Sequence, residues 1–194
     1  MTVLQIGVLA LQGAFVEHER MLDRLGAGHF QIRCLKDLSV PMDGLVLPGG
    51  ESTAIGKLMD SLGMTALLKE KIMRGLPVFG TCAGMILLAG EIENDAKRHL
   101  QVMDITVRRN AYGRQLGSFF TQGEFAGKPV PMVFIRAPYI VEAGRSVEVL
   151  SVVEGHAVAA REKNMLACSF HPELSGDLTV HSYFLEEMVK KGRL

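Results

Sequence analysis

Five residues, Gly80-Thr81-Cys82-Ala83-Gly84, set a cysteine between two glycines, after the apolar run 77–80 and before Met85-Ile86-Leu87-Leu88. With serine in the middle, this spacing makes the nucleophile elbow, where small flanking residues allow a sharp strand-to-helix turn that lifts the nucleophile out of a sheet. A thiol at a helix N-terminus also feels the positive end of the dipole, which favours thiolate, and the amide of Ala83 is placed to donate to an oxyanion. Glycine-rich turns also house small buried thiols that do no chemistry. A base decides between the two. His171-Pro172-Glu173 follows an apolar run, and residues two apart on an extended segment point to one side, so Glu173 can orient the imidazole and stabilise its charged form while His171 acts as base and acid. Pro172 fixes its own φ and biases His171 towards an extended conformation. A zinc ion on Cys82, His171 and Glu173 is open on ligand types alone, but the elbow glycines serve a nucleophile better than a metal ligand.

Three further stretches can wall a pocket around that thiol. Pro48-Gly49-Gly50-Glu51-Ser52-Thr53 ends an apolar run. It reads as a strand-to-helix turn capped by Ser52 or Thr53, whose bare amides can supply a second oxyanion donor and whose Glu51 can meet a substrate ammonium group. The lysine that ends a phosphate loop is missing. Residues 108–115 form a short basic patch with one aromatic, a solvated loop or an arginine that forks onto a substrate carboxylate. Ile135-Arg136-Ala137-Pro138 ends another run and adds a possible wall. The other histidines, His18, His29, His99, His156 and His181, read as surface or packing residues, and Cys34 and Cys168 as inert thiols inside apolar strands.

The elements that must carry these residues follow from hydrophobic period. Residues 3–10 are apolar without alternation, as in a strand covered on both faces, and from His18 the spacing Met21, Leu22, Leu25 gives an amphipathic helix ended by Gly26-Ala27-Gly28. Strands are expected at 30–35, 43–47 and 77–80, with helices between 52 and 62 and over 65–74. Alternation of strand and helix predicts an open, mostly parallel, doubly wound sheet, with ligands beyond the carboxyl ends of its strands. Runs at 100–107, 130–135, 147–153, 156–161 and 165–170 suggest antiparallel additions, and the chain closes on a helix with Val180, Tyr183, Phe184 and Met188 on one face.

Composition bounds the partners. The 194 residues are 48% hydrophobic and 22% charged, enough for one domain with a substantial core. Lys and Arg number 21, as do Asp and Glu, so no net positive field exists to collect nucleic acid or an anionic membrane. Three cysteines without C-x-x-C spacing argue against a disulfide framework or structural zinc and suit a reducing cytoplasm. The apolar start lacks a basic leader region, and no run reaches the roughly 18–20 apolar residues of a membrane span.

Taken together, Pro48 to Thr53, Gly80-Thr81-Cys82-Ala83-Gly84-Met85, Arg109-Asn110-Ala111-Tyr112-Gly113-Arg114-Gln115, Phe134-Ile135-Arg136-Ala137-Pro138 and His171-Pro172-Glu173-Leu174 resemble the glutaminase subunit of pyridoxal 5'-phosphate synthase. The stretches Ile6 to Ala14 and His181-Ser182-Tyr183-Phe184 extend the likeness to nearly the whole chain. G-x-C-x-G and H-P-E belong to triad-type glutamine amidotransferases at large; the glycine turn and the Arg109 stretch point to the vitamin B6 branch. Ser175 stands where many members carry threonine.

The resemblance implies a three-layer α/β/α, flavodoxin-like glutaminase fold over residues 1–194. It implies a catalytic triad of Cys82, His171 and Glu173, with glutamine held by Gly50, Glu51, Ser52, Arg109, Ile135 and Arg136, and the oxyanion by the amides of Gly50 and Ala83. The reaction it implies is hydrolysis of L-glutamine through a glutamyl thioester, without metal or cofactor. Its ammonia would pass to a (β/α)-barrel synthase subunit in a large hetero-oligomer whose docking switches the glutaminase on, and Gln12 and Gly13 are candidates for the contact. A stand-alone thiol amidase or γ-glutamyl hydrolase, and a non-catalytic regulatory subunit on the same fold, are the competing readings.

Overall fold

The computed structural model describes residues 3–111 and 117–193, so Tyr112, Gly113, Arg114 and Gln115 of the basic stretch lie outside the described residues. Strand β1 (Gln5–Leu9) is followed by α1 (Phe15–Arg24), β2 (Gly28–Ile32), β3 (Gly44–Leu47), α2 (Ser52–Ser61), α3 (Thr65–Met73), β4 (Val78–Thr81), α4 (Ala83–Leu88) and β5 (Ala89–Ile92). The second half is strand-rich: β6 (Met103–Arg108), β7 (Ser118–Phe125), β8 (Lys128–Ile135), β9 (Tyr139–Ala143), β10 (Glu148–Val153), β11 (His156–Glu162) and β12 (Met165–Cys168). Helix α5 (Thr179–Tyr183) then continues in wider π-type turns through Phe184–Lys190.

The main sheet runs β2-β1-β3-β4-β12-β11-β9-β6-β5, with β10 paired to β11. From β2 to β12 every pairing is parallel, and antiparallel pairing begins at β11. This is a mixed α/β fold whose chain reverses its winding direction between β1 and β3, the switch point beside which open α/β sheets bind ligands. Both faces are covered, so successive strand residues enter opposite cores. Leu45 and Leu47 pack with α2, α3 and α4 residues, whereas Val46, Phe79, Leu166 and Cys168 pack with α1, the C-terminal helix and the β7–β8 hairpin.

Several expectations need correction. The second strand stops at Ile32, because Arg33 and Cys34 donate their amides to Asp37 and open a 3-10 turn over Leu35–Ser39. Cys34 is therefore exposed, not a core thiol, while Cys168 is buried in β12 as expected. Helix α2 is capped by neither Ser52 nor Thr53: the Glu51 carboxylate accepts from the amides of Thr53 and Ala54 at 3.0 and 2.7 Å. Strands β5, β7 and β9 were not anticipated. β7 alternates exposed and half-buried residues on a two-stranded ribbon, and β5 holds Gly90 and Glu91, so neither presents the apolar run that marks a covered strand.

Candidate active site

Because β1, β3, β4 and β12 run the same way, the residues after each of them share one rim. These are the turn at 10–14, the turn at 48–51, Cys82, and the segment leading to His171. Register sets their spacing, with Leu47 opposite Gly80 and Thr81 opposite Cys168. At Cys82 the backbone turns through φ 48° and ψ −100°, a left-handed conformation that costs a non-glycine residue about 1–3 kcal/mol. The turn is held from both sides. The Cys82 amide donates to the Cys168 carbonyl at 2.7 Å, and α4 begins at once with Ala83, whose amide is one of the four that a helix leaves without an internal partner. The flanking glycines are needed for close approach, since a Cβ on Gly84 would sit 2.0 Å from the Leu47 carbonyl oxygen and one on Gly80 2.7 Å from the Gly84 backbone.

His171 Nδ1 lies 2.7 Å from Glu173 Oε1, and both residues are 6% exposed. The expected extended geometry is not how they meet. Pro172–Leu174 forms a 3-10 turn whose first residue is the proline, a position that suits its fixed φ, and the turn folds the carboxylate back under the ring. Gly49 lets the ring settle, because a Cβ there would lie 2.3 Å from His171 Cε1. Burial works against a charged imidazole, but its contacts with Cys82 and Glu173 outweigh that and raise its pKa to about 10. The Cys82 side chain also faces the Ile135 carbonyl at 3.9 Å.

Cys82 and His171 open into a cleft of about 230 Å³ that is also lined by Gly50, Glu51, Ser52, Ile86, Arg109, Asn110, Ile135 and Arg136. Pockets for drug-sized ligands hold about 300–1,000 Å³, so this one suits a smaller molecule. All six expected substrate residues thus reach one cavity with the thiol and the imidazole. Arg109 lines the same cleft as the thiol, its guanidinium 3.3 Å from Asp95 Oδ2, 3.3 Å from Thr53 Oγ1 and 3.6 Å from Glu51 Oε1. Burial opposes the Glu51 charge, yet the Thr53 and Ala54 amides and Arg109 hold its pKa below the usual value. The Gly49 carbonyl accepts from the Ala14 amide at 3.0 Å, so in that planar trans peptide the Gly50 N–H points away from Ala14. Gln12 Oε1 accepts the Glu51 amide at 2.8 Å, which ties the 10–14 turn to this strand end. A larger cleft of about 610 Å³, lined by Phe125, Lys128, Tyr183 and Glu187 among others, contains neither cysteine nor histidine. Among the described residues no group of three or more His, Cys, Asp or Glu could hold a metal ion, and no helix is long and apolar enough to cross a membrane.

Residues 8–190 match the model of the SNO glutamine amidotransferase family. The chain belongs to that family. Among relatives of this SNO glutamine amidotransferase, the pyridoxal 5'-phosphate synthase subunit PdxT of Streptococcus pneumoniae strain CGSP14 is 52% identical over 192 residues, covering 97% of this chain and 99% of the relative. The protein of the same name from Haemophilus influenzae strain PittEE is 53% identical over 187 residues, covering 94% and 97%. A crystal structure of a glutamine amidotransferase superposes with a TM-score of 0.89 at 44% identity, covering 93% of this chain and 97% of that one.

In this SNO glutamine amidotransferase the fold brings further residues to the site, among them two histidines that the sequence pattern assigns to surface or packing roles. His18 and His181 are fully buried, with His18 Nδ1 2.9 Å from His181 Nε2 and His18 Nε2 3.6 Å from Glu173 Oε2. Asp95, which holds Arg109, was also missed. For His18 a signal was present, since a polar ring at the start of the Met21 and Leu22 stripe is out of place unless something polar meets it. No local signal marks Asp95.

Proposed function

We propose that this glutamine amidotransferase hydrolyses L-glutamine to L-glutamate and ammonia through Cys82, His171 and Glu173. It passes the ammonia to a synthase subunit that makes pyridoxal 5'-phosphate. The observation that carries the reading is the buried imidazole between thiol and carboxylate, opening into a cleft with Arg109 and Glu51 on its wall. Arg109 suits the α-carboxylate of an amino acid and Glu51 its ammonium group, which orients the side-chain carboxamide towards Cys82.

With its pKa near 10, His171 begins the cycle protonated beside the sulfur. The Cys82 thiolate adds to the carboxamide carbon, and the amides of Gly50 and Ala83 take up the oxyanion. His171 then gives its proton to the departing nitrogen. Ammonia leaves, a glutamyl thioester remains, and His171, now neutral, accepts a proton from water as the hydroxyl oxygen attacks the thioester. Collapse releases glutamate and restores thiolate and imidazolium, with Glu173 orienting the ring throughout.

Free ammonia is largely ammonium at neutral pH and then no nucleophile, so a route that shields it from bulk water is useful. That need, with the names of the relatives, supports a synthase partner subunit; a barrel fold for that partner, a large hetero-oligomer, and a single cytoplasmic glutaminase domain over residues 1–194 belong to the same proposal. The test is glutamate release from L-glutamine by the purified chain, alone and with a pyridoxal 5'-phosphate synthase subunit, against Cys82→Ala. Stimulation by the partner that disappears in Cys82→Ala is expected. Full activity without the partner favours a free-standing amidase, and none under either condition overturns the enzymatic reading.

A further inference from the structure

The Glu173 side chain is wholly buried, and its Oε2 makes no hydrogen bond. A buried carboxylate oxygen left bare costs several kcal/mol unless a dipole faces it. The polar atom that faces it is Nε2 of His18, at 3.6 Å, an ion–dipole contact rather than a hydrogen bond. The same nitrogen lies 3.0 Å from Thr81 Oγ1, on the residue just before Cys82. His18 belongs to α1, and its other nitrogen meets His181, from α5.

The protons in this chain of rings can be placed by elimination. His181 Nδ1 is buried without a partner. If His181 carried its hydrogen there, a buried donor would be orphaned, and the lone pair of His18 Nε2 would face the lone pairs of Glu173 Oε2. With the hydrogen on His181 Nε2, that group donates to His18 Nδ1, and His18 carries its own hydrogen on Nε2, between Thr81 Oγ1 and Glu173 Oε2. Only this arrangement gives every buried N–H an acceptor. Phe79 packs edge-on against both rings, 5.8 Å from His18 and 5.4 Å from His181, and fixes their planes.

We propose that His18 is a positioning residue for Glu173: its neutral Nε2–H, fixed in that tautomer by His181, stabilises the carboxylate oxygen that His171 does not use. This rests on the glutaminase reading above. A neutral donor suits the place, because an imidazolium here would compete with His171 for the charge of Glu173. Burial, reinforced for His18 by its imidazole neighbours, holds the pKa of His18 well below 6.5 and that of His181 at about 3. The titratable groups around His18 are His181, Glu173 and His171, with Cys82 beyond the ring of His171 and Cys168 beside Glu173.

The experiment compares His18→Leu, which removes the donor, with His18→Gln, whose amide N–H can reach the place of Nε2. It uses the full chain with its synthase subunit, and reads kcat and KM for glutamine from pH 5 to 9, with alkylation of Cys82 by iodoacetamide over the same range. For His18→Leu, kcat should fall about 10–100-fold, as for partners one contact removed from a reacting group, with KM within about twofold. The acid limb of both profiles should move up, because the carboxylate that supports the His171 imidazolium has lost the dipole facing its Oε2. His18→Gln should recover most of the rate and return the limb. A folded His18→Leu with the wild-type rate and limb overturns the proposal, as do equal losses in both variants with an unmoved limb, which mark a packing role. If neither variant folds, His181→Phe decides: a smaller upward shift of the limb supports the proposal, and an unmoved one overturns it. Should Cys82→Ala or Glu173→Gln keep full activity, the glutaminase reading falls instead; if both are dead while His18→Leu is unaffected, only the present proposal falls.

Discussion

Glu173 Oε1 accepts a hydrogen bond from Nδ1 of His171 at 2.7 Å across a single proline. The pairing is local in sequence, yet the ring it orients must meet a thiol 89 positions earlier in the chain, so the carboxylate has to fix both tautomer and plane. In Glu173→Gln the amide cannot carry the imidazolium charge. Its kcat for glutamine hydrolysis should fall by on the order of 10³–10⁴-fold, with KM changed little, in steady-state assays with the partner present.

At Cys82 the backbone is strained and the side chain is indispensable to the proposed reaction. Replacement by glycine usually costs more than replacement by alanine, but here φ 48° reverses the order. Cys82→Gly should be more stable than Cys82→Ala by about 1–2 kcal/mol in urea unfolding, and both should be inactive. Equal stability would mean that the turn carries no strain.

Arg109 is about two-thirds buried between Asp95, Thr53 and Glu51, a setting that holds its guanidinium on the wall of the cleft. Losing a charged hydrogen bond costs about 1.5–3 kcal/mol, so Arg109→Gln should raise KM for glutamine about 10–100-fold while kcat changes less. Asp95→Asn should shift KM in the same direction by a smaller factor. Unchanged KM in both variants would remove Arg109 from substrate binding.

Acid should act on the buried histidines. The folded protein holds His18 and His181 below their ordinary value of 6.5, so the unfolded chain takes up protons that the folded one refuses. Their contribution to stability is present above about pH 6.5 and is lost as pH falls, for His181 down to about 3, at up to about 1.4 kcal/mol per pH unit for each. His171 acts in the opposite sense: its raised pKa adds stability below 6.5 that is lost as pH climbs through about 10. Urea midpoints from pH 4 to 10 should form a dome, and His181→Leu should flatten its acid side.

The parts of the site legible in sequence are those whose signal is local. Cys82 between glycines, the His171-Pro172-Glu173 segment and the glycine turn at 49–50 each announce a backbone geometry within a few residues. The parallel half of the sheet was equally open, because strands covered on both faces are apolar throughout. What stayed hidden depends on distant neighbours. His18 carries a local hint in its apolar stripe, but its partner His181 lies 163 positions away, and the pair forms only once α1 and α5 lie on the same face of the sheet. Cys34 was misjudged because its apolar run hides Asp37, whose carboxylate pulls the backbone into a turn. For β7 and β9, half-exposed surfaces leave a composition that resembles loop.

Strand β12 lies between β4 and β11, and among the described residues it follows every other strand in chain order. Its pairing with β4 joins segments roughly ninety residues apart, and long-range closures of this kind form late in folding. Until it slots in, the Cys82 amide has no Cys168 carbonyl to hold it, and the thiol has no imidazole beside it. A chain in which β12 has not yet paired therefore holds the cysteine apart from both groups that frame it in the site. The proposed ammonia release is thus postponed until β12 is in place beside β4.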